Sequence, residues 1–282
     1  MKFGINTFLF SSPFTNGDIG YFSRFKSWGF DTVEIALENL TDIDAHTVAK
    51  ALSDDGLSCA SLCAAMGPGR DLRGTPAEQQ TALDYLKGLL DIMPELGCKV
   101  LAGPLYSVVG RAEATPPEDY KRQWETVAGH LLTLAEHAEK AGLLLAIEPL
   151  NRYETDFINT GAQALRMIRE VDSKALTVHL DTFHMNIEEK HPAETILEAG
   201  ARLGHFHASG SDRGAPGNDH TDWQAIAKAL QQVNYTGPVV IESFTPDVKV
   251  IARAASIWRE IEPSQEALAT QGLKFLRSCF PG

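Results

Sequence analysis

The sequence predicts an α/β fold, a single (β/α)8 TIM barrel occupying residues 1–282. Three observations carry that prediction. Short apolar runs, eight in all, alternate with amphipathic segments to the end of the chain. They recur at about 35 residues per unit, the spacing of a closed barrel of roughly 250 residues with modest loops. No Pro/Gly/Ser-rich linker or charge block divides the chain, and no Gly-x-Gly-x-x-Gly follows the first run. The first absence counts against two domains and the second against an open dinucleotide-binding sheet.

The runs begin at Lys2–Phe8, Asp31–Ala36 and Leu57–Cys63, and continue at Lys99–Gly103 and Leu143–Glu148. Ala175–Asp181, Gly204–Ala208 and Pro238–Glu242 complete the set. Each is nearly continuous in apolar residues, as strands of a parallel sheet buried on both faces must be. Between the runs lie helices with legible starts. Thr75-Pro76-Ala77-Glu78 offers an N-cap, a proline at the first helical position and a glutamate able to close a capping box. Thr115-Pro116-Pro117-Glu118 repeats that arrangement. The helix after it places Trp124, Val127, Leu131, Leu134 and Ala138 on one face and stops at Gly142.

Composition narrows the class of function. With 37 acidic residues against 25 Lys+Arg, the formal net charge is −12, which opposes a nucleic-acid partner. Cys59, Cys63, Cys98 and Cys279 are too scattered for a zinc ribbon or a disulfide framework, so a reducing, cytoplasmic setting is expected. No apolar run approaches the roughly 20 residues of a membrane span, and the N-terminal stretch lacks a cleavage site.

In a barrel of this kind catalytic groups sit where strands end. The fifth to eighth runs end on Glu148, Asp181, His207 and Glu242, at intervals of 33, 26 and 35 residues. A single acid at a strand end is more often a helix cap or a surface residue. Four successive polar endings on apolar strands are different, because closure of the barrel brings them to one mouth. Three carboxylates crowded there repel one another unless a cation neutralises them. One imidazole with three carboxylates suits Mn²⁺, Co²⁺ or Mg²⁺, and Zn²⁺ is compatible. Six of the nine histidines lie between His179 and His220. By strand alternation His179 and His205 fall one layer below Asp181 and His207, as hydrogen-bonded supports for the ligands. His184 is placed in the loop past Asp181, within reach of a substrate.

These motifs resemble those of a known family. Glu148-Pro149-Leu150-Asn151-Arg152-Tyr153-Glu154, Asp181-Thr182-Phe183-His184-Met185-Asn186 and Gly204-His205-Phe206-His207 are similar to the ketose 3-epimerases. That family includes the D-tagatose, D-psicose and L-ribulose 3-epimerases of the xylose-isomerase-like barrels. The resemblance implies one divalent ion, manganese or cobalt, on Glu148, Asp181, His207 and Glu242. It implies Glu148 and Glu242 as the acid/base pair, and Glu154, His184 and Arg213 as hydrogen-bond partners of the O1–O3 end of a ketose. It also implies a homodimer or homotetramer. The reaction would be inversion at C3 of a free ketose through a cis-enediolate, with two groups facing each other across that carbon. Arg213 follows Asp212 where relatives commonly carry Asn, and Leu105-Tyr106 leads into Ser107-Val108-Val109-Gly110 where relatives often place a Trp.

Two other readings share the barrel. An aldose–ketose or hydroxypyruvate-type sugar isomerase would use similar metal chemistry. An endonuclease IV-like repair nuclease shares an Asp-x-x-His motif resembling Asp181…His184, and implies a multi-zinc cluster with further histidines from early strands. Strands two and three offer Glu34 but no histidine, and the net charge of −12 opposes DNA.

Overall fold

A computed structural model describes residues 1–280. Among them, parallel strands follow one another round a closed barrel in chain order. They are β1 (Phe3–Asn6), β2 (Thr32–Leu37), β3 (Ser58–Ala64), β4 (Val100–Gly103), β5 (Leu144–Ile147), β6 (Leu176–Asp181), β7 (Leu203–Ala208) and β8 (Val239–Ile241). The barrel closes by β1 pairing with β8, Ile5 opposite Ile241. Helices α1 (Tyr21–Trp28), α2 (Ala45–Asp54), α3 (Pro76–Leu96), α4 (Pro117–Ala141) and α5 (Gly161–Val171) follow the first five strands. The second half carries α6 (Thr182–Glu188), α7 (Pro192–Ala199), α8 (Trp223–Gln232), α9 (Lys249–Ala254) and α10 (Gln265–Cys279). No helix among the described residues is long and apolar enough to cross a membrane, and the four cysteines are free thiols.

Every expected strand is present, with ends moved by no more than two residues. The largest shift is at β1, where the Asn6 side chain accepts from the Phe8 backbone N–H at 2.8 Å and turns the chain into a short 3₁₀ helix. Thr75 caps α3 as expected: its backbone N–H donates to Glu78 Oε2 at 2.7 Å and its hydroxyl accepts from the Glu78 N–H at 3.4 Å. Such a cap is worth about 1 kcal/mol. Helix α4 ends at Gly142 in the left-handed region, φ 67°, and buries Trp124, Val127, Leu131, Leu134 and Ala138.

The start of α4 corrects the sequence expectation. Pro116, not Thr115, is its N-cap residue, and it makes no side-chain cap bond. Thr115 is engaged elsewhere: its hydroxyl donates to Asp156 Oδ2 at 2.7 Å and its N–H to the same oxygen at 2.9 Å.

That contact is part of a clasp at the mouth of the barrel. Arg73, after β3, is buried against Asp156, after β5, at 2.8 Å. It also donates to Gln123 Oε1 at 2.9 Å and to Thr115 Oγ1 at 3.1 Å, with its guanidinium 4.5 Å from the centre of the Phe157 ring. Arg111 pairs with Asp71 at 2.8 Å beside it. Three strand-to-helix loops are thereby pinned to one another. On the opposite side Phe244, Ala252 and Ile257 form a small apolar cluster of their own, joined by Phe8, Ile251, Ala255 and Ile261.

Burial alone would raise the Asp156 carboxyl, but the Thr115 hydroxyl and N–H and the Arg73 guanidinium hold it down to about 2. A carboxyl lowered in the folded state stabilises the fold above its unfolded value, and that contribution is lost as pH falls through the folded value. Asp156→Asn, which leaves Arg73 buried without its counter-charge, is expected to cost about 3 kcal/mol at pH 7. In urea denaturation series the gap between variant and wild type should close between about pH 4 and pH 2. A constant gap across that range would refute the assignment.

Candidate active site

The polar strand ends converge. Asp181 is the last residue of β6, His207 is next to last in β7, and Glu148 and Glu242 follow β5 and β8 directly. One donor atom from each of the four lies within 4.8 Å of the others, and all four residues are buried. Parallel register does this: Asp181 pairs with His207 across β6 and β7, and His207 with Val240 across β7 and β8. Glu148 is fixed through its main chain. Its N–H donates to Gly103 O at 3.0 Å, and its carbonyl accepts from the Tyr106 hydroxyl at 2.8 Å. Gly103 reaches that position at φ 123°, where an added Cβ would lie 3.2 Å from the Ala64 carbonyl oxygen.

Arg213 supplies the positive charge at the centre. Its Nη1 donates to Asp181 Oδ2 at 2.5 Å and to Glu242 Oε2 at 3.1 Å. The guanidinium lies over the rings of Phe183 and Phe244, 4.1 and 5.1 Å from their centres. The backbone of Arg213 is left-handed, φ 68°, in a tight turn in which its N–H donates to Gly210 O at 2.9 Å. A non-glycine residue held there costs of the order of 1 kcal/mol. His184 Nε2 lies 3.0 Å from Arg213 Nη2 and 3.8 Å from Glu148 Oε1. Its Nδ1 accepts from the Asn151 backbone N–H at 3.1 Å. Asn151 in turn donates from Nδ2 to Glu154 Oε1 at 2.8 Å, which places half-buried Glu154 at the rim.

All seven expected site residues therefore meet at one mouth. Two of their supporting expectations change. His184 lies in helix α6, not in a loop, because Asp181 Oδ1 accepts from the Phe183 N–H at 2.8 Å and caps that helix. His179 makes no hydrogen bond among the described residues: its Nδ1 lies 3.6 Å from Glu148 Oε2, beyond hydrogen-bond distance, and the ring packs edge-on against His207 with centres 4.0 Å apart. His205 is hydrogen-bonded as expected, but to Glu34, at 2.6 Å. Away from the cluster, His191 and His220 line a separate cavity of about 500 Å³ between α6, α7 and the start of α8.

Electrostatics separate the two glutamates. Burial, with Glu242 and Asp181 nearby, pushes the Glu148 carboxyl well up. Burial also acts to raise Glu242, but His207 and Arg213 outweigh it and hold that carboxyl below its ordinary value. Burial would lower His207, yet Glu34 and Glu242 hold it well above the usual imidazole range. His184 is pushed well down by burial and by the Arg213 charge, which keeps it neutral. Glu148 Oε1 and His207 Nδ1 are buried and have no hydrogen-bond partner among the described residues. Three carboxylates, one imidazole and two unsatisfied inward atoms form a donor set that fits a divalent cation.

Residues outside the sequence-based set also belong here. Glu34, on β2, is fully buried and bonds to His205 and His207, and Asn6 Nδ2 reaches Glu242 Oε1 at 3.2 Å. The available signal was a lone carboxylate inside the apolar run Thr32-Val33-Glu34-Ile35-Ala36-Leu37.

Comparison with known proteins places the chain in a family. Residues 22–279 match the family model for the xylose isomerase-like TIM barrel. The chain is 36% identical over 281 residues to the "Probable ketose 3-epimerase" of Synechocystis sp., covering 99% of this chain and 97% of that protein. It is 31% identical to the ketose 3-epimerase of Arthrobacter globiformis, over 98% and 96% of the two chains. The crystal structure of D-allulose 3-epimerase from Methylomonas sp. in complex with D-allulose superposes with a TM-score of 0.90 at 29% identity, covering 99% of this chain and 96% of that one. The chain belongs to the ketose 3-epimerases, isomerases of the xylose isomerase-like TIM barrel family.

Proposed function

We propose that this protein inverts C3 of free ketoses, with Glu148 and Glu242 as the acid/base pair and a divalent ion held by Glu148, Asp181, His207 and Glu242. The observation that carries the reading is the buried set of four donors within 4.8 Å, which contains both glutamates. The D-allulose complex of the Methylomonas enzyme supports a ketohexose as substrate, and the named L-ribulose 3-epimerases among the relatives support ketopentoses.

The C3 hydrogen is acidified only by the neighbouring C2 carbonyl, and an unaided carboxylate does not remove it. A bound Mn²⁺, Co²⁺ or Mg²⁺ would supply Lewis-acid stabilisation of charge developing on the substrate oxygens. The residues of the chain do the rest. One glutamate takes the C3 proton, leaving a cis-enediolate, and the other returns a proton to the opposite face. Inversion requires this pair, since a single base returns the proton to the face it left. Glu148 after β5 and Glu242 after β8 stand on different strands of the mouth, as two-sided exchange demands. Arg213 and neutral His184 are oriented to donate to sugar oxygens, and Glu154 to accept from a hydroxyl at the rim. Phe244 and Met66 are buried apolar side chains suited to walls beside the reacting carbons.

The same reading includes a reducing, cytoplasmic setting, supported by the four free thiols. It includes a homodimer or homotetramer, for which the exposed side chains of Trp258 and Val250 offer apolar surface.

A panel of ketohexoses and ketopentoses incubated with the protein and Mn²⁺ or Co²⁺ should yield C3 epimers, and EDTA should abolish turnover. Absence of metal-dependent conversion on every member would overturn the reading. In D₂O, NMR of recovered sugar should show deuterium at C3 with C2 still a ketone; label at C1 would instead identify an aldose–ketose isomerase. Glu242→Gln is expected to lower kcat by roughly 10²–10⁴-fold, as is Glu148→Gln. Epimerisation at the wild-type rate by either variant would sink the two-base mechanism.

A further inference from the structure

Beneath the four proposed ligands lies a carboxylate that touches none of the reacting positions and yet is bonded to two histidines. Glu34 is fully buried on β2 and accepts from four donors. At Oε1 these are Asn6 Nδ2, at 2.6 Å, and His207 Nε2, at 2.7 Å. At Oε2 they are His205 Nε2, at 2.6 Å, and the Ser61 hydroxyl. An ionised carboxylate is acceptor-only with about four lone-pair sites, so Glu34 is saturated. Each imidazole must therefore keep its Nε2 proton to make its bond. In the neutral His207 ring that a cation would bind, that leaves the lone pair on Nδ1, which is buried without a hydrogen-bond partner and lies 3.4 Å from Glu242 Oε2. Asn6 carries the same constraint sideways: one amide group donates to Glu34 Oε1 and also to Glu242 Oε1 at 3.2 Å.

We propose that Glu34 is a positioning residue for the metal centre, fixing His207 as the Nε2–H tautomer that presents Nδ1 to the cation and, through Asn6, holding the Glu242 carboxylate towards it. The inference rests on the metal-site reading and deepens it. A carboxylate behind a ligand histidine orients the ring and raises its basicity, and loss of such a partner weakens metal affinity by 10–100-fold. Packing alone would not choose Glu34, since any apolar side chain of similar volume fills the same space in a barrel interior. The four matched donors require an acceptor-only group.

The test is titration of the metal-free full-length protein with MnCl₂ by calorimetry, for wild type, Glu34→Gln and Glu34→Asp, alongside the melting temperature of each metal-free protein. Glutamine keeps the shape but has one acceptor oxygen and no charge, so it cannot serve both histidines. Its Kd for Mn²⁺ is expected to rise 10–100-fold. Aspartate keeps the charge on a shorter arm and should restore part of the affinity. A folded Glu34→Gln protein with the wild-type Kd would overturn the proposal. Should that variant fail to fold, Glu34→Asp decides: a raised Kd supports the role and a wild-type Kd removes it. Failure of the wild-type protein to bind Mn²⁺ would instead defeat the metal-site reading itself.

Discussion

Like charges buried side by side dominate the mouth of this barrel. Glu148, Asp181 and Glu242 are packed out of water at one end of a closed sheet, where their repulsion is poorly screened. Everything around them can be understood as a response. Arg213 adopts a left-handed backbone conformation, and its guanidinium, over two aromatic rings, reaches two of the three carboxylates. His207 is held by carboxylates on both sides. Even so, Glu148 Oε1 is left without a partner. A barrel interior of this size is more commonly filled by branched apolar residues, and this one instead carries a polar layer made of Asn6, Glu34, Ser61, His179, His205 and His207. That layer is tolerable because most of its groups are hydrogen-bonded within it, and one of its unsatisfied atoms, His207 Nδ1, belongs to a residue of the four-donor set.

The backbone makes the cluster with little help from loops. Parallel strands pair one residue after another around the closed sheet, so polar residues at strand ends fall into a ring whatever their distance in sequence. The two glutamates are further locked by neighbours that donate to or accept from their main chain. Gly103 and Tyr106 act on Glu148, and the Glu242 N–H donates to Ala208 O at 3.3 Å. Rotamer freedom is thus the only freedom left to the side chains, which is what exchange of a proton at a fixed carbon requires.

Much of this was legible before any coordinates. Apolar runs buried on both faces announce parallel strands, and Glu148, Asp181, His207 and Glu242 stand out because each breaks such a run at its end. Glu34 was harder to read because it lies within a strand, where a carboxylate has no meaning until the donors opposite it are known. Those donors come from β1, β3 and β7, and only barrel closure brings them together. Thr115 misled for a related reason: its hydroxyl had two chemically equivalent uses, and a tertiary carboxylate competed successfully with the local helix end. His179 shows the converse, a polar ring that packing holds without any hydrogen bond. Chain pattern identifies what must be buried; it does not say which partner a polar group finds there.

The two sides of the mouth are built to different standards. The loops after β3, β4 and β5 are tied by the charge pairs of buried Arg73 with half-buried Asp156 and of buried Asp71 with half-buried Arg111. The stretch after β8 rests on the three-residue cluster of Phe244, Ala252 and Ile257, separate from the main core, and on an exposed pair between Arg259 and Asp212 at 3.6 Å. Cooperative units with little apolar contact open at the smallest free-energy cost. The mouth therefore has one wall tied by charge pairs and one resting on a small apolar cluster, and Phe244 belongs both to that cluster and to the rings over Arg213. The ring that packs this satellite cluster is therefore also a wall of the charge centre, so loosening the stretch after β8 would take an aromatic face away from the Arg213 guanidinium.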